Sequence, residues 1–492
     1  MSNARDMTKV LDAWRAGKPF PKGSTILTPQ APQNQVAFVA FVRMGGESVP
    51  WGMAIKPANG RVPTKCFVVP DPRKRTDLAL TLRKFGKFLC KWLEQDTSGK
   101  DWPHPQIWLP NPAHLEMLHG LALRYVWTRF TPEGMSDKHA EELRQMGRAA
   151  NWLFFESQHP GQTAVVTATD ALKACHYFPA DNLRQAHLGF LLAWLENQGS
   201  RRERQLAATI AEQESISPTL NPSVESGGLE KLVLKFGDKS TPEDVKNSCA
   251  EKIISTIESE LTRRINLIEK AYLILNNDER AINPGFHELA EETRTRMNND
   301  FLQNEIRARS GESIFVPNPD TDGNPRKAAE IFMEREKSGS GAKSKLLKYD
   351  SELQGIAISS GDAVSAVVTN IDHKKEGRKN IISWTIESDG NFPLRLRIGD
   401  RVSVNSLSEN VLTIQNIDTV KNRREITLLV NSPKTARGGL DMAAASRLGS
   451  ELLFIKHEIS IPLFRKFRNL RSKDARGSWV GEEILKQRKK NA

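Results

Sequence analysis

The chain reads as a multidomain α+β protein: a mixed α/β domain at the N-terminus, a helical arm, a small β-barrel and a basic C-terminal tail. Three observations carry that reading. Apolar runs alternate with amphipathic stretches up to about residue 200; an apolar stripe at three- and four-residue steps dominates the middle; and a two-residue alternation appears beyond residue 346, before a stretch dense in Lys and Arg. At 492 residues, 38% hydrophobic and 26% charged, the chain has material for about two to four domains of ordinary globular composition.

Residues 1–200 form the first predicted domain. Strand-like runs occur at Gln35 to Val42, Gly52 to Ile55 and Cys66 to Val69, and a helix is predicted from Thr76 to about Gln95, apolar at Leu78, Leu82, Phe85, Leu89 and Leu93. Further helices are predicted at Pro112 to Phe130, Ser136 to Glu156 and Ala180 to Asn197, with a strand at Thr163 to Thr167 entering a helix over Ala168 to Tyr177. Trp92, Trp102, Trp108, Trp127, Trp152 and Trp194 fall on otherwise apolar faces and are expected in the core. The four cysteines lack the short paired spacings of zinc or redox sites and are expected to be buried thiols.

Residues 201–345 read as the helical arm with linkers. The Pro/Ser/Gly-rich run after Glu214 is taken as a boundary loop, and Thr241-Pro242-Glu243-Asp244 as a helix start with proline in the first turn and acids at the positive end of the dipole. The helix carries Ile253, Ile257, Leu261, Ile265, Ile268, Tyr272 and Leu275 in one stripe, and a second helix from Phe286 to Arg309 is expected to fold back on it. Glu334 to Lys345 is read as a linker.

Residues 346–435 carry the barrel, of SH3-like or oligonucleotide-barrel type. Ile382, Trp384 and Ile386 alternate with polar residues, as do Leu394, Leu396 and Ile398, and Val402 and Val404; more strands are predicted at Ala363 to Ile371, Val411 to Ile417 and Ile426 to Val430. Two polar hairpin tips are basic, one with Lys374, Lys375, Arg378 and Lys379, the other with Lys421, Arg423 and Arg424; Arg395, Arg397 and Arg401 are expected to share an outward face. Like charges crowded at a loop tip repel one another, and contact with phosphates relieves that repulsion while releasing counterions. The tail, residues 436–492, adds Arg465, Lys466, Arg468 and Arg471 interleaved with apolar residues. From Arg437 onward thirteen Lys and Arg face six Asp and Glu, so the tail supplies +7 of the net +12.

Catalytic patterns are incomplete. Gly339-Ser340-Gly341-Ala342-Lys343-Ser344 interrupts the Gly-Lys-Ser order of a phosphate loop with Ala342. Asp320-Thr321-Asp322-Gly323-Asn324 opens like a calcium loop, but Ile331 stands where the closing glutamate belongs. Should the N-terminal domain hold an active site, its candidates are Asp170, His176 and His187. No metal or cofactor is expected. The opening residues lack the basic flank and apolar run of a secretory signal, and no apolar run reaches the roughly 20 residues of a membrane span, so a cytoplasmic location without membrane partners is expected.

The stretch Leu394-Arg395-Leu396-Arg397-Ile398-Gly399-Asp400-Arg401-Val402 resembles the small β-barrel inserted in superfamily-1 helicases of the Upf type, and residues 168–196 resemble bacterial proteins encoded beside such helicases in phage-defence gene clusters. The helicase motor's nucleotide motifs are absent from the sequence. The resemblance implies an accessory to a separate helicase or nuclease. The expected function is non-catalytic binding of nucleic acid, DNA foremost, through the phosphate backbone without base specificity. An enzyme, a hydrolase or nuclease with its site in the N-terminal domain, and a protein-interaction scaffold are the alternatives.

Overall fold

The computed structural model describes residues 4–23, 25–45, 49–60, 62–95, 102–125, 135–181, 183–309, 325–376, 379–404, 411–420, 422–430 and 448–456. The chain is mixed α/β and divides into two compact units, Met1–Gln158 with Gln162–Pro317, and His159–Gly161 with Asn318–Ala492.

The first unit opens with helix α1 (Ala4–Ala16) and the short strands β1 (Phe20–Pro21) and β2 (Thr25–Ile26). Strands β3 (Val36–Arg43), β4 (Pro50–Pro57) and β5 (Lys65–Val68) form an antiparallel meander. Helix α2 (Arg75–Leu93) then carries the chain to β6 (Gln106–Leu109), parallel to β3, and helices α3 (Pro112–Tyr125) and α4 (Asp137–Ser157) lead to β7 (Val165–Thr167), parallel to β6. The sheet order is β5-β4-β3-β6-β7. Beyond it come α5 (Ala168–Cys175), β8 (His176–Tyr177), α6 (Leu188–Glu196), α7 (Arg201–Glu212), α8 (Pro222–Val224), α9 (Glu230–Gly237), α10 (Glu243–Asn276), β9 (Ala281–Ile282) and α11 (Gly285–Arg309).

Strand β3 is buried at every position from Val36 to Val42, because helices cover both faces of the sheet. Phe41 meets Phe85 of α2 on one side, while Phe38 meets Tyr272 of α10 on the other. Trp92, Trp102, Trp108, Trp152 and Trp194 are buried as expected; Trp127 lies outside the described residues. Burial pushes the thiols of Cys66, Cys90 and Cys175 up to about 11, which keeps them protonated at neutral pH. Cys66 and Cys90 are half-buried rather than fully enclosed.

The long middle helix does not stand off as an arm. The stripe from Ile253 to Tyr272 is fully buried against the sheet, and at Gly52 a Cβ atom would come within 2.6 Å of Ile257, so α10 needs glycine there to approach. Lys56 of β4 is tied to Glu269 at 2.6 Å, and the Tyr272 hydroxyl donates to the Ala31 carbonyl. An amphipathic stripe reveals that a helix has a buried side, but a free arm and a sheet cover share the same pattern. The expected boundary loop after Glu214 likewise stays within this unit, tied to the end of β3 by the Arg43 amide, which donates to the Pro218 carbonyl.

The second unit begins with α12 (Pro325–Leu347) and α13 (Ser351–Ser360). The stretch read as a linker from Glu334 to Lys345 is therefore helical. Its two glycines cost helix stability, roughly 1 kcal/mol each relative to alanine, but the helix also buries Ala342 and Leu347, the latter in a cluster with Leu453 and Ile455. Asp350 caps α13 by accepting from the amides of Glu352 and Leu353 at 2.9 Å, and Gly361, at φ 79°, ends it.

The barrel follows: β10 (Ala363–Glu376), β11 (Lys379–Asp389), β12 (Arg401–Val404), β13 (Val411–Val420), β14 (Arg423–Val430) and β15 (Glu451–Lys456) close in the order β10-β11-β14-β13-β12-β15. Val368, Trp384, Ile386, Val402, Ile414, Ile426, Leu428 and Phe454 fill its interior. Two expectations change here. The strand that closes the barrel, β15, comes from the region assigned to the tail, and Leu394 to Ile398 is not a strand. Pro393 lacks an amide proton and Gly399 turns at φ 90°, so the segment crosses the barrel end with Leu396 buried and Ile398 62% exposed.

Candidate nucleic-acid interface

Strand pairing decides where the basic residues stand. In the β11–β14 ladder Asp389 faces Arg423 and Ser383 faces Leu429, so the β13–β14 turn lies at the far end of β11 from the β10–β11 turn. The two basic tips therefore occupy opposite ends of the barrel, roughly 30 Å apart along β11 at the usual rise per residue. The amino ends of β10 and β12, with Asp362 and Arg401, lie at the Arg423 end.

At that end most charges are internally matched. Arg423 pairs with Glu387 at 2.9 Å, and Lys456 pairs with Asp400 at 3.3 Å. Asp362 takes Lys343 at 3.0 Å and Arg395 at 3.8 Å; burial pushes its carboxyl up, and these cations more than offset that, leaving it below its ordinary value. Arg424 is half-buried and donates to the carbonyls of Gly390 and Phe392, bracing the turn. Arg397 and Arg401 make no ion pair among the described residues; Arg397 is exposed and Arg401 half-buried. Phe392 is 50% exposed, whereas Trp384 is buried in the barrel.

The opposite end is different. Four register pairs, His373 with Ile382 through Glu376 with Lys379, extend β10 and β11 beyond their pairing with β14 and β15, which stops at Ser383 and Val367. Among the described residues this is a two-stranded ribbon with no third strand beside it. Alternation puts Lys374 on its outer face and His373 on the face continuous with the barrel interior; the side chains of Lys375 and Lys379 lie outside the described residues. Lys374 is exposed and forms no ion pair among the described residues. Arg378, Lys421, Arg465, Lys466, Arg468 and Arg471 lie outside the described residues.

Among the described residues the three candidates for catalysis are not joined to one another by any hydrogen bond or ion pair. Asp170, in the first turn of α5, accepts from the Thr167 hydroxyl at 2.5 Å and pairs with Lys173 at 2.7 Å. His176 sits in β8, where burial, with Arg280 nearby, pulls it down to about 4. His187 caps α6: Nδ1 accepts from the Phe190 amide at 3.2 Å and Nε2 donates to the Glu214 carbonyl at 2.8 Å. Asp170 and His187 each have a local structural role, and the His176 Nδ1 is buried without a hydrogen-bond partner among the described residues. Among the described residues no group of three or more His, Cys, Asp or Glu is placed to hold a metal ion, and no helix is long and apolar enough to cross a membrane.

No protein-family model matches the chain, and no curated protein matches it. The sequence signal for the ribbon was present in the Lys/Arg-rich turn; its projection beyond the barrel is a property of register, which residue types alone do not display.

Proposed function

We propose that the protein is a non-catalytic DNA-binding accessory factor that contacts the phosphate backbone, without base specificity, through a barrel of SH3-like or oligonucleotide-barrel type. The tail adds nonspecific affinity. Its working partner is a separate helicase or nuclease, in a setting of defence against phage. The observation that carries the proposal is the ribbon of β10 and β11. Its four unflanked pairs span about 13 Å at the usual strand rise, more than the roughly 8.5 Å depth of the B-form major groove, which accepts a two-stranded ribbon. Lys374 is exposed on the ribbon, and Lys375, Arg378 and Lys379 follow at and around its turn in the sequence, so a ribbon in a groove would bring a cluster of cations to the phosphate walls.

Replacing Lys374, Lys375, Arg378 and Lys379 together by glutamine tests the reading. Equilibrium binding to a duplex, followed by fluorescence anisotropy, is expected to weaken by about tenfold or more, uniformly across sequences. Circular dichroism and the thermal midpoint should stay unchanged, since exchanging charged for polar side chains at a polar turn removes no apolar packing. Parental affinity in a folded variant would remove the ribbon from the interface.

A further inference from the structure

In open α/β sheets ligands collect outside the carboxyl ends of parallel strands, where the strand order reverses direction. Here the chain leaves β3 toward β4 and β5 on one side and returns to β6 and β7 on the other, so the reversal falls between β3 and β6. A cleft of about 850 Å³ opens there. Gly45, just past β3, and Asn111 to Ala113, which open α3, form one wall; the strap Ser215 to Asn221 forms another.

The strap is held from behind. The Arg43 amide donates to the Pro218 carbonyl at 2.8 Å, His114 Nε2 to Ile216 at 2.9 Å, and Arg263 Nη2 to Ser215 at 2.6 Å. Arg264 Nη2 donates to the carbonyls of Ser217 and Thr219 at 3.1 and 3.3 Å. The hydroxyls of Ser215, Ser217 and Thr219 are linked in a row, at 3.2 and 2.5 Å, and the Ser215 hydroxyl donates to the Thr219 carbonyl at 2.7 Å, so the row is bonded within the strap.

Arg264 is the unexplained part. It is 0% exposed, yet among the described residues its Nε and Nη1 have no hydrogen-bond partner, the carboxylate oxygen of Glu260 being 3.8 Å from Nη1. Burial pulls it down to about 10, so it remains a cation at neutral pH. The Arg43 Nε is also buried without a partner. Unsatisfied buried donors of this kind are costly, and an anion at the strap would offset that cost electrostatically. Asn111 accepts from the Ala113 amide through Oδ1, while its Nδ2 has no partner among the described residues. Two carboxylates also line the cleft: Glu225, which accepts from the Gly45 amide at 2.7 Å, and Glu212, 3.9 Å from Arg184.

We propose that this cleft binds a nucleoside phosphate, with the phosphate between the amino end of α3 and the Ser/Thr strap, and the sugar hydroxyls toward Glu212 and Glu225. The volume suits a molecule of that size. The positive end of the α3 dipole, the Asn111 side-chain amide and the Arg264 cation behind the strap favour the phosphate. Carboxylate oxygens accept from sugar hydroxyls, which gives the two glutamates a role that a bare anion site would not.

The probes are AMP and inorganic phosphate, titrated calorimetrically into the full chain. AMP is expected to bind saturably, with phosphate competing. Asn111→Asp separates binding from folding, because aspartate caps a helix as well as asparagine does while placing a negative charge where the phosphate would sit. It should leave the thermal midpoint unchanged or raised and weaken AMP by about tenfold or more. Absence of AMP binding to the parent, binding that Asn111→Asp leaves intact, or binding that phosphate does not compete would overturn the proposal.

Discussion

Replacing Arg296 by methionine is expected to destabilise the first unit by about 3–5 kcal/mol, the usual consequence of stranding one member of a buried ion pair. Glu156, at the end of α4, is only 3% exposed, and Arg296 of α11 reaches it with Nη2 at 2.5 Å and Nε at 3.2 and 3.3 Å. Burial pushes the Glu156 carboxyl up while Arg296 pulls it back, and burial prevails. Without the guanidinium the carboxyl rises further and takes up a proton, so the variant should recover part of its loss as the pH falls. Glu156→Ala should cost less, since Arg296 can still reach solvent. A chain carrying Glu156→Leu and Arg296→Met together should regain most of the stability, because a well-packed apolar pair replaces a desolvated ionic one. The same guanidinium reaches the Thr293 hydroxyl at 3.1 Å; Thr293 lies 3.3 Å from Thr163, whose hydroxyl is 2.8 Å from His104 Nε2. Urea unfolding followed by tryptophan fluorescence reads this unit well, because eight of the ten tryptophans precede residue 200. Equal midpoints for Arg296→Met and the parent would show that the pair carries no stability.

Acid is expected to remove at least about 4 kcal/mol from the same unit between pH 7.5 and pH 5, roughly 2 kcal/mol for each of the two buried histidines His104 and His114. Burial pulls His104 down to about 4 and His114 to about 3, from an ordinary 6.5. His114 shows why its ring must stay neutral: Nδ1 accepts from the Phe41 amide at 3.2 Å while Nε2 donates to the Ile216 carbonyl. Once unfolded, both rings take a proton near pH 6.5, so below that value the unfolded chain binds more protons than the folded one and stability falls. It is fully present above pH 6.5 and lost as the pH drops toward the folded values. His176, also pulled down to about 4, acts in the same direction. Glu141, Glu142 and Asp278, held below their ordinary values by Arg and Lys partners that outweigh burial, lose their contribution only under more acid conditions. With His104→Gln and His114→Gln together, the urea midpoint should vary much less between pH 7.5 and 5, whatever its absolute value. A parent midpoint that does not move over that range contradicts the assignment.

Local pattern was readable in the chain and long-range placement was not. The alternation at Ile382, Trp384 and Ile386 identifies β11 because a period of two admits one buried face, and the stripe from Ile253 to Leu275 identifies α10 for the corresponding reason. The same rule misled at Leu394, Leu396 and Ile398, where alternation is real but Pro393 and Gly399 prevent pairing. Strand β15 was missed because it lies in a basic stretch twenty residues beyond β14, and its Leu453, Phe454 and Ile455 are all buried, so no alternation announces it. That the two basic tips stand at opposite ends of the barrel is a matter of register, which the order of residues in the sequence does not display. The cleft beside α3 joins pieces near residues 45, 111 and 217, and no local signal could have assembled them.

Binding of the full chain to a mixed-sequence duplex, measured across a series of monovalent salt concentrations, tests the central claim most directly. Each phosphate neutralised by Lys or Arg releases counterions and contributes about −0.9 to the slope of log affinity against log salt. With the four ribbon cations engaged, the slope should be roughly −3.5 or steeper, and chemically different duplexes of equal length should give the same line. An affinity indifferent to salt, or no binding at the lowest salt, would contradict the account.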